Sequence, residues 1–279
     1  MEDRQPPTLI VFWDYDAQWG ADRSRSPGGP KDWGRFEFPN TDRLLELHAQ
    51  YNIPACFAVV GAAALHGDHP YHDPAQIRRI HAAGHEVASH SFYHEWLPGL
   101  GKQALVETLS KSKDALEQCI GAPVTTFVPP YNQPFDCAER WSFSLSERRE
   151  TNGHRTDLRG LCDGLIETGY SFCRVAYRPM HQRLAEFVLR RRLDRPVRLE
   201  EIAGIKCLRI NTAGGFGSDA STMLNRCAEG GGMVVVYGHP HSLHSGDSQD
   251  ETRLVPFLQR LQILREQGLI RICLPRQLL

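Results

Sequence analysis

Two histidines and two aspartates have the residue types and spacing of a metal site that could hydrolyse an amide. His90 and His94 are four positions apart, and on one helical turn this spacing puts both imidazoles on one face, about 5–6 Å apart at Cβ. Asp14 and Asp16 follow an apolar run, where a desolvated pair of carboxylates would need a cation. One carboxylate and two imidazoles leave the coordination sphere of Zn²⁺ open for water and substrate. We therefore expect a catalytic divalent-metal site.

Such a site also needs groups that move protons. Ser91 stands where the H-E-x-x-H motif of zinc peptidases has its general-base glutamate, so the base must come from elsewhere, and Asp14 and Asp16 are the candidates. A bound metal ion would polarise a carbonyl group and lower the pKa of bound water towards about 7. His239 follows another apolar run and could protonate the departing amine. Because His241 is its near neighbour, the sequence leaves open which of the two is the general acid.

The elements that must position these residues alternate along the chain. Short runs that are apolar on both faces predict the strands Leu9–Trp13, Ala55–Val60, Glu86–Ser89, Thr125–Val128, Phe172–Ala176, Lys206–Ile210, Met233–Tyr237 and Ile270–Leu274. Amphipathic segments between them predict the helices Thr41–Gln50, Pro74–Ala83, Lys102–Ile120, Thr156–Thr168, Pro179–Arg192, Ala220–Ala228 and Glu251–Gln267. Seven or eight such units in 279 residues favour a single-domain α/β protein with a closed or nearly closed parallel barrel.

Each candidate residue lies at the carboxyl end of a predicted strand. The Asp14/Asp16 pair closes the first strand, His90 and His94 follow the third, and the run Pro129–Asn132 follows the fourth. His239 follows the seventh strand after Gly238. Because the loops that leave the carboxyl ends of parallel barrel strands converge on one face, we expect these clusters to meet there.

Composition excludes several classes of function. Hydrophobic residues make up 41% of the chain and charged residues 23%, as in ordinary globular proteins. The formal net charge of −1 gives no field directed at nucleic acid. No stretch approaches the roughly 18 consecutive apolar residues of a transmembrane helix, and the first residues lack the pattern of a secretory signal. The eight cysteines contain no C-x-x-C pair and are expected to be buried thiols, so we predict a cytoplasmic protein.

Two segments offer clues to the substrate. The stretch Asp22–Asn40 is rich in Ser, Pro and Gly and is expected to be an irregular loop, either a lid or a surface insertion. Trp19 precedes this stretch and Trp33 lies within it, and both rings could stack on a sugar ring or pack the loop down. A basic cluster is interpreted as a solvated helix face, with the phosphate of a nucleotide- or lipid-linked sugar, or weak membrane-surface contact, as alternatives. This cluster comprises Arg190, Arg191, Arg192, Arg195 and Arg198.

The order of the motifs resembles the polysaccharide deacetylase family, also called carbohydrate esterase family 4 or the NodB-homology domain, from Leu9 to about Leu274. The most specific match is His90-Ser91-x-x-His94. Asp14 and Asp16 are similar to the acidic first motif of the family, in a spaced form. The resemblance implies a distorted (β/α)₇ barrel that forms one catalytic domain over residues 7–279, with residues 22–40 as a loop or lid within it.

The resemblance also implies roles for individual residues. Asp14 would be the catalytic base, and Asp16, His90 and His94 would be the metal ligands. Pro130 and Tyr131 resemble the third motif, in which the backbone N–H at the tyrosine position helps to hold the oxyanion, and His239 ends the final motif.

Three positions depart from the family pattern. The arginine usual in the third motif is Val128 here, so the partner that orients the base is missing or replaced. Asn132 stands in place of glycine after the tyrosine, and Glu95 in place of proline after the second motif.

The activity implied by the resemblance is removal of an N-acetyl group from an amino sugar that is nucleotide-, lipid- or glycan-linked. The metal would be Zn²⁺, with Co²⁺ or Ni²⁺ as alternatives. One competing hypothesis is a hydrolase of a non-sugar C–N bond, in an amide or a cyclic ureide. Another is a non-catalytic carbohydrate-binding protein, for which the only support is Val128 in place of arginine. The sequence identifies neither the sugar nor the oligomeric state.

Overall fold

The structure is a computed structural model, and it describes residues 7–24, 31–134, 156–176, 180–189 and 199–279. Within these residues, strands β1 to β9 are Thr8–Tyr15, Cys56–Val59, Glu86–Ser89, Thr126–Phe127, Phe172–Val175, Leu199–Ile202, Ile205–Arg209, Met233–Gly238 and Arg271–Ile272. Helices α1 to α8 are Ala17–Asp22, Gly34–Tyr51, Pro74–Ala82, Lys102–Ile120, Leu158–Glu167, Met180–Leu189, Ser218–Gly230 and Glu251–Glu266. No helix in the described ranges is both long and apolar enough to cross a membrane.

The described strands form one curled, mainly parallel sheet. Its order is β6-β7-β5-β4-β3-β2-β1-β8, with β9 beside the start of β1. The pair β6–β7 is antiparallel, and the other pairs are parallel. Helices follow most of the parallel strands, as β/α units require. The predicted single-domain α/β architecture with a distorted barrel is confirmed, and all eight predicted strands lie within two residues of their expected ends.

Side chains, rather than a backbone ladder, connect the β7 end of the sheet to β8. Just after β7, the amide nitrogen of Asn211 donates to the carbonyl oxygen of Met233 at 3.1 Å, and its amide oxygen accepts from the N–H of Val235 at 3.1 Å. The Thr212 hydroxyl donates to the carbonyl oxygen of Val235 at 2.7 Å. These bonds satisfy polar groups along the edge of β8 and hold the sheet in its curled form.

Alternation along the strands separates an inner core from an outer one. Ile10 and Phe12 of β1 pack in the inner core with residues from the other strands, whereas Leu9, Val11 and Trp13 belong to the core beneath the helices. Each fully buried aliphatic side chain of this kind contributes about 1.5–3 kcal/mol. Because strand side chains alternate between faces, a residue two positions after an inner one also points inwards. Asp14 follows Phe12 in this way, and Arg174 of β5 follows Phe172.

The expectation that residues 22–40 form an irregular loop is wrong for residues 34–40. Asp22 ends α1, and α2 begins at Gly34 rather than at the predicted Thr41, so residues 34–40 are helical despite Pro39. Phe38 and Leu44 of α2 are buried against the outer core, and this packing outweighs the low helix propensity of the segment. Residues 25–30 lie outside the described part of the chain.

Two other expectations concern the remaining sequence features. The arginine cluster 190–198 lies outside the described residues, so its interpretation stays a prediction. The described cysteines carry free thiols, and all except Cys119 are buried, as expected.

The short strand β6, whose sequence is Leu-Glu-Glu-Ile, was not predicted because its acidic residues hide the apolar pattern.

Candidate metal centre and hydrolytic site

Asp16, His90 and His94 converge on one point at the carboxyl ends of β1 and β3. Each offers a ligand atom, and these atoms all lie within 4.8 Å of one another. The Nε2 atoms of His90 and His94 lie 3.4 and 3.5 Å from Oδ1 of Asp16. All three side chains are buried, with exposed fractions of at most 4%. The arrangement therefore has the compactness of a single ligand set.

The two histidines reach this point from a loop, so the single helical turn expected from their spacing is wrong. His90 follows the end of β3, and both Ser91 and His94 have φ of 61°, in the left-handed region. This backbone turns the chain back on itself and brings the two imidazole rings to 5.0 Å between centroids. The Ser91 hydroxyl accepts a hydrogen bond from the N–H of Glu95 at 3.1 Å, which stabilises the turn.

The polar atoms of this cluster fit a divalent cation. Nδ1 of His90 lies 2.7 Å from the Val128 carbonyl oxygen and must donate to it, which leaves Nε2 as a lone-pair donor facing Asp16. Within the described residues, the buried Oδ1 of Asp16 has no hydrogen-bond partner. Burial lowers the pKa of His90 to about 4, and that of His94 well below its usual value, so both imidazoles are neutral as metal ligands must be.

The Asp16 carboxyl needs a positive partner for its charge to survive burial. Burial, with the negative charges of Glu37 and Asp14, raises the pKa of Asp16 well above its usual value, although His239 acts in the opposite direction. A divalent cation would offset this cost, because an uncompensated buried charge is strongly unfavourable. A set of one carboxylate and two imidazoles also matches the three-ligand pattern of catalytic zinc sites.

Gly20 provides the space that Asp16 occupies. A Cβ atom added at Gly20 would lie 2.5 Å from Cβ and 3.0 Å from Cγ of Asp16. Since real Cβ contacts are never this short, any larger residue in this turn of α1 would displace the carboxylate from the cluster.

Asp14 forms a two-point ion pair inside the barrel with Arg174 of β5. The guanidinium Nη1 and Nη2 donate to Oδ1 and Oδ2 of Asp14 at 2.7 and 2.6 Å, and Nη2 also donates to the Asn132 side-chain oxygen at 3.2 Å. Arg174 is fully buried, and its Cζ lies 5.1 Å from the ring centre of Phe12 and 4.6 Å from that of Tyr237. The fork geometry and the two rings fix the orientation of the carboxylate.

Arg174 also determines the protonation of Asp14. Burial alone would raise the pKa of Asp14, but the charge and hydrogen bonds of Arg174, with contributions from His90 and His239, lower it to about 2. The carboxylate is therefore ionised at neutral pH. Sequence analysis missed Arg174, and the available signal was a single arginine in the apolar run Phe172–Ala176, in phase with the inner face.

His239 and His241 occupy different environments. Nε2 of His239 lies 3.9 Å from Oδ2 of Asp14, and its Nδ1 lies 3.0 Å from the amide oxygen of Gln249, which can only accept. Nδ1 therefore carries the proton and Nε2 faces the aspartate. Nδ1 of His241 lies instead 3.1 Å from Oε2 of the fully buried Glu37. Burial raises the pKa of Glu37 and lowers that of His241 to about 4.

Neither Gln249 nor Glu37 was predicted from the sequence. Glu37 falls in the segment that was expected to be irregular, and Gln249 lies in a polar loop without a recognisable pattern. Of the two histidines, only His239 is brought close to Asp14, with 27% of its side chain exposed against 8% for His241.

Tyr131 lies beside the cluster of Asp16, His90 and His94. Its ring packs edge-on against His94, with 4.6 Å between centroids, and its hydroxyl donates to the backbone carbonyl oxygen of Arg23. Buried Pro130 opens a short 3₁₀ turn, Pro130–Asn132, in which Tyr131 has φ of 57° and Asn132 has φ of 55°. Tyr131 therefore lies at the edge of the site, in contact with His94.

The two predicted sugar-stacking tryptophans pack against protein rings. Trp19 contacts Tyr71 and Tyr93, each with 4.9 Å between ring centroids, and its indole N–H donates to the Tyr71 carbonyl oxygen at 3.1 Å. Trp33 stacks on His241, with 4.3 Å between centroids and 2° between ring planes. These contacts agree with the alternative that both rings pack the adjacent segments.

Comparisons with known proteins match a segment that contains part of the site. The family model for polysaccharide deacetylases matches residues 32–138, a segment that contains His90, His94 and Tyr131 but neither Asp14 nor His239. A chitooligosaccharide deacetylase from Sinorhizobium fredii is 33% identical over 92 residues, which cover 33% of this chain and 40% of the relative. A chitooligosaccharide deacetylase from Rhizobium leguminosarum bv. trifolii is 29% identical over 76 residues, covering 27% of this chain and 33% of the relative. The chain thus aligns with less than half of each of these relatives.

The fold comparison extends over most of the chain. A crystal structure of a protein from Mycobacterium smegmatis assigned as a polysaccharide deacetylase superposes with a TM-score of 0.60 at 19% identity, covering 94% of this chain and 86% of that one. At this identity the similarity concerns the fold. Residues 32–138 are thus similar to the polysaccharide deacetylase family and its chitooligosaccharide deacetylases, and the chain shares the fold of the Mycobacterium smegmatis protein.

Proposed function

We propose that this protein is a divalent-metal-dependent hydrolase that removes the N-acetyl group from an amino sugar. The observation that carries the proposal is the juxtaposition of two units: the Asp16, His90 and His94 cluster, and the Asp14 carboxylate held by Arg174 with His239 only 3.9 Å away. A cation site, an oriented base and a candidate acid are the three parts that metal-assisted amide hydrolysis needs.

The chain's own residues divide the proton transfers between them. A bound cation, for which we propose Zn²⁺, would polarise the acetyl carbonyl and lower the pKa of the attacking water. Asp14 accepts a proton from that water, whose oxygen bonds to the acetyl carbon. The C–N bond then breaks, and protonated His239 gives its Nε2 proton to the departing amine, so that acetate and the free amino sugar are released. The backbone N–H of Tyr131 is proposed to stabilise the oxyanion.

The surrounding contacts hold these groups ready. Arg174 keeps Asp14 ionised at neutral pH and fixes its orientation, which is the task left open by Val128. Gln249 fixes the ring of His239 through Nδ1, so that Nε2 faces the site. Because Arg174 supplies a partner for the base, the argument for a non-catalytic sugar-binding protein loses its support from the sequence.

The decisive experiment is release of acetate from a panel of substrates by metal-loaded, chelated and reloaded protein. N-acetylglucosamine oligosaccharides, non-sugar N-acetyl amides and a cyclic ureide form the panel, and Zn²⁺, Co²⁺ and Ni²⁺ are compared on reloading. We expect acetate from the sugars, its loss on chelation and its return with metal. Turnover of the non-sugar compounds alone would overturn the sugar assignment, and sugar binding by the metal-loaded protein without acetate release would overturn catalysis.

Variants separate the proposed roles. Asp14→Asn should keep its metal and lose turnover by about 10²–10⁴-fold, the usual contribution of a general base. His239→Gln should show a similar loss. His241→Gln is the matched control, because this imidazole bonds to Glu37, and its loss should be much smaller. Equal losses in the two histidine variants would remove His239 from the acid role.

A further inference from the structure

A cavity of about 670 Å³ opens directly beside the metal cluster. His94 forms part of its wall, and Trp96, Tyr131, Glu95 and Arg23 line the space next to it. Volumes of about 300–1,000 Å³ are typical of pockets that enclose a small ligand. A sugar in this cavity would have its acetamido group within reach of the metal centre and aromatic rings against its faces.

Arg23 brings a positive charge to the rim of this cavity. Its side chain is exposed, and its Cζ lies 5.8 Å from the ring centre of Trp19 and 5.5 Å from that of Tyr93. The neighbouring acid, Asp22, accepts a hydrogen bond from the Tyr71 hydroxyl through Oδ2 at 2.7 Å. In the described part of the chain no carboxylate pairs with Arg23.

The position of Arg23 is fixed from two sides. Its backbone carbonyl oxygen accepts the Tyr131 hydroxyl, so the main chain here is tied to the turn at the edge of the site. The two rings support the guanidinium by cation–π contacts, which hold a planar cation while leaving its N–H groups available. A long surface side chain with such support loses less conformational entropy when it binds a ligand.

Glu95 is the acidic residue of the cavity wall, and its carboxylate is engaged on both oxygens. Oε2 accepts the N–H of Tyr93 at 3.0 Å, and Oε1 accepts the hydroxyl of Thr108 at 2.7 Å. Glu95 is therefore oriented by the protein, whereas within the described residues the guanidinium of Arg23 makes no hydrogen bond or ion pair and can bind a ligand. This difference favours an anion at the Arg23 end of the cavity.

We propose that Arg23 binds an anionic group, a carboxylate or a phosphate, carried by the same substrate whose acetamido group reaches the metal centre. The inference rests on the proposed function and specifies its substrate class as acidic amino sugars or their conjugates. Both anions present oxygens that the guanidinium fork can bind with two hydrogen bonds. The substrate would lie along the wall formed by Trp96 and Tyr131, with its anion at the outer end.

The test compares kcat/KM for three N-acetylated substrates: a neutral N-acetylglucosamine oligosaccharide, one that bears a carboxylate on a lactyl ether, and an N-acetylglucosamine phosphate. We expect the wild-type protein to prefer at least one of the anionic substrates. Arg23→Gln should reduce kcat/KM for that substrate by about 10–100-fold, mainly through KM, as expected for loss of a charge-assisted hydrogen bond. Activity on the neutral sugar should change less than about threefold.

Two further variants make the result specific. Arg23→Lys keeps the charge without the fork and should fall between the wild type and Arg23→Gln. Arg35→Gln is the matched control, because Arg35 is an exposed arginine that pairs with Asp32 on the surface, and it should leave all three rates unchanged.

The outcomes distinguish the inference from the proposed function. The anionic substrate whose kcat/KM falls more in Arg23→Gln identifies the bound group as a carboxylate or a phosphate. Equal rates for neutral and anionic sugars, or equal losses for both in Arg23→Gln, would overturn the inference and leave the deacetylase proposal intact. Absence of acetate from every sugar would overturn the proposed function, and the inference would fall with it.

Discussion

Replacement of Arg174 by methionine should both destabilise the protein and disable Asp14, the proposed base. Methionine fills much of the same volume between Phe12 and Tyr237 but leaves the Asp14 carboxylate buried without its partner. Removal of one member of a buried ion pair costs about 3–5 kcal/mol, because the remaining charge is uncompensated. The free energy of unfolding at neutral pH should therefore fall by about that amount.

The pH dependence of this loss follows from the pKa of Asp14. In the wild type the pKa is about 2, below its usual value of 3.8, which corresponds to about 2 kcal/mol of stability. This contribution is fully present above pH 3.8 and is lost as the pH falls through 2. In Arg174→Met, burial dominates and raises the pKa of Asp14. The difference in stability between the two proteins should thus shrink as the pH approaches 2.

Urea denaturation between pH 2 and pH 8 measures the free energy of unfolding. The rate of acetate release between pH 6 and pH 9 measures the activity that we propose depends on Asp14. We expect kcat/KM at pH 7 to fall by about 10²–10⁴-fold and to recover in part at higher pH, as Asp14 regains its charge. Arg174→Lys should be intermediate, and Arg35→Met is the surface control, with a change of at most about 1 kcal/mol. An unfolding free energy within 1 kcal/mol of wild type at pH 7, with an unchanged pH profile, would refute the reasoning.

Three further predictions concern the supports of the site. Gly20→Ala should push Asp16 out of place and weaken metal binding by about 10–100-fold in a metal titration, with little loss of secondary structure by circular dichroism; unchanged affinity would contradict the close packing. Asn211→Ala should cost about 1–3 kcal/mol in urea denaturation because it leaves the Val235 N–H unpaired, and an unchanged midpoint would show that the side-chain link is dispensable. His48 accepts the Trp13 indole N–H, and burial with His85 lowers its pKa to about 3. The contribution of His48 to stability should therefore be complete above pH 6.5 and fall by up to about 4 kcal/mol as the pH drops to 3. His48→Gln should flatten that profile, and parallel profiles for the two proteins would count against it.

The strands and the position of the site were predictable because both rest on local patterns. Runs such as Met233–Tyr237 are apolar on both faces, and this pattern is typical of a strand that is covered on both sides. Polar residues directly after them, such as Asp14 and His90, then lie on one face of the barrel as a consequence of parallel topology. Successive side chains of β1 point to opposite faces, so Asp14 lies on the same inner face as Phe12.

The contacts across the barrel were not predictable in the same way. Arg174 meets Asp14 across 160 positions of sequence, and nothing local specifies which inward residue will pair with which. The loop from His90 to His94 depends on left-handed backbone at Ser91 and at His94 itself, residue types that give no signal for it. Helix α2 begins early because tertiary burial of Phe38 and Leu44 outweighs local propensity.

The central claim is that Asp16, His90 and His94 hold one catalytic cation, and metal content measured together with acetate release tests it most directly. Wild-type protein, dialysed against chelator and titrated with Zn²⁺, should bind one equivalent per chain, and acetate release should rise in proportion to occupancy. Asp16→Asn and His94→Ala should lose both metal and activity, while Asp14→Asn keeps the metal and loses activity alone. Full acetate release by metal-free protein, or stoichiometric metal in the Asp16 and His94 variants, would contradict the account.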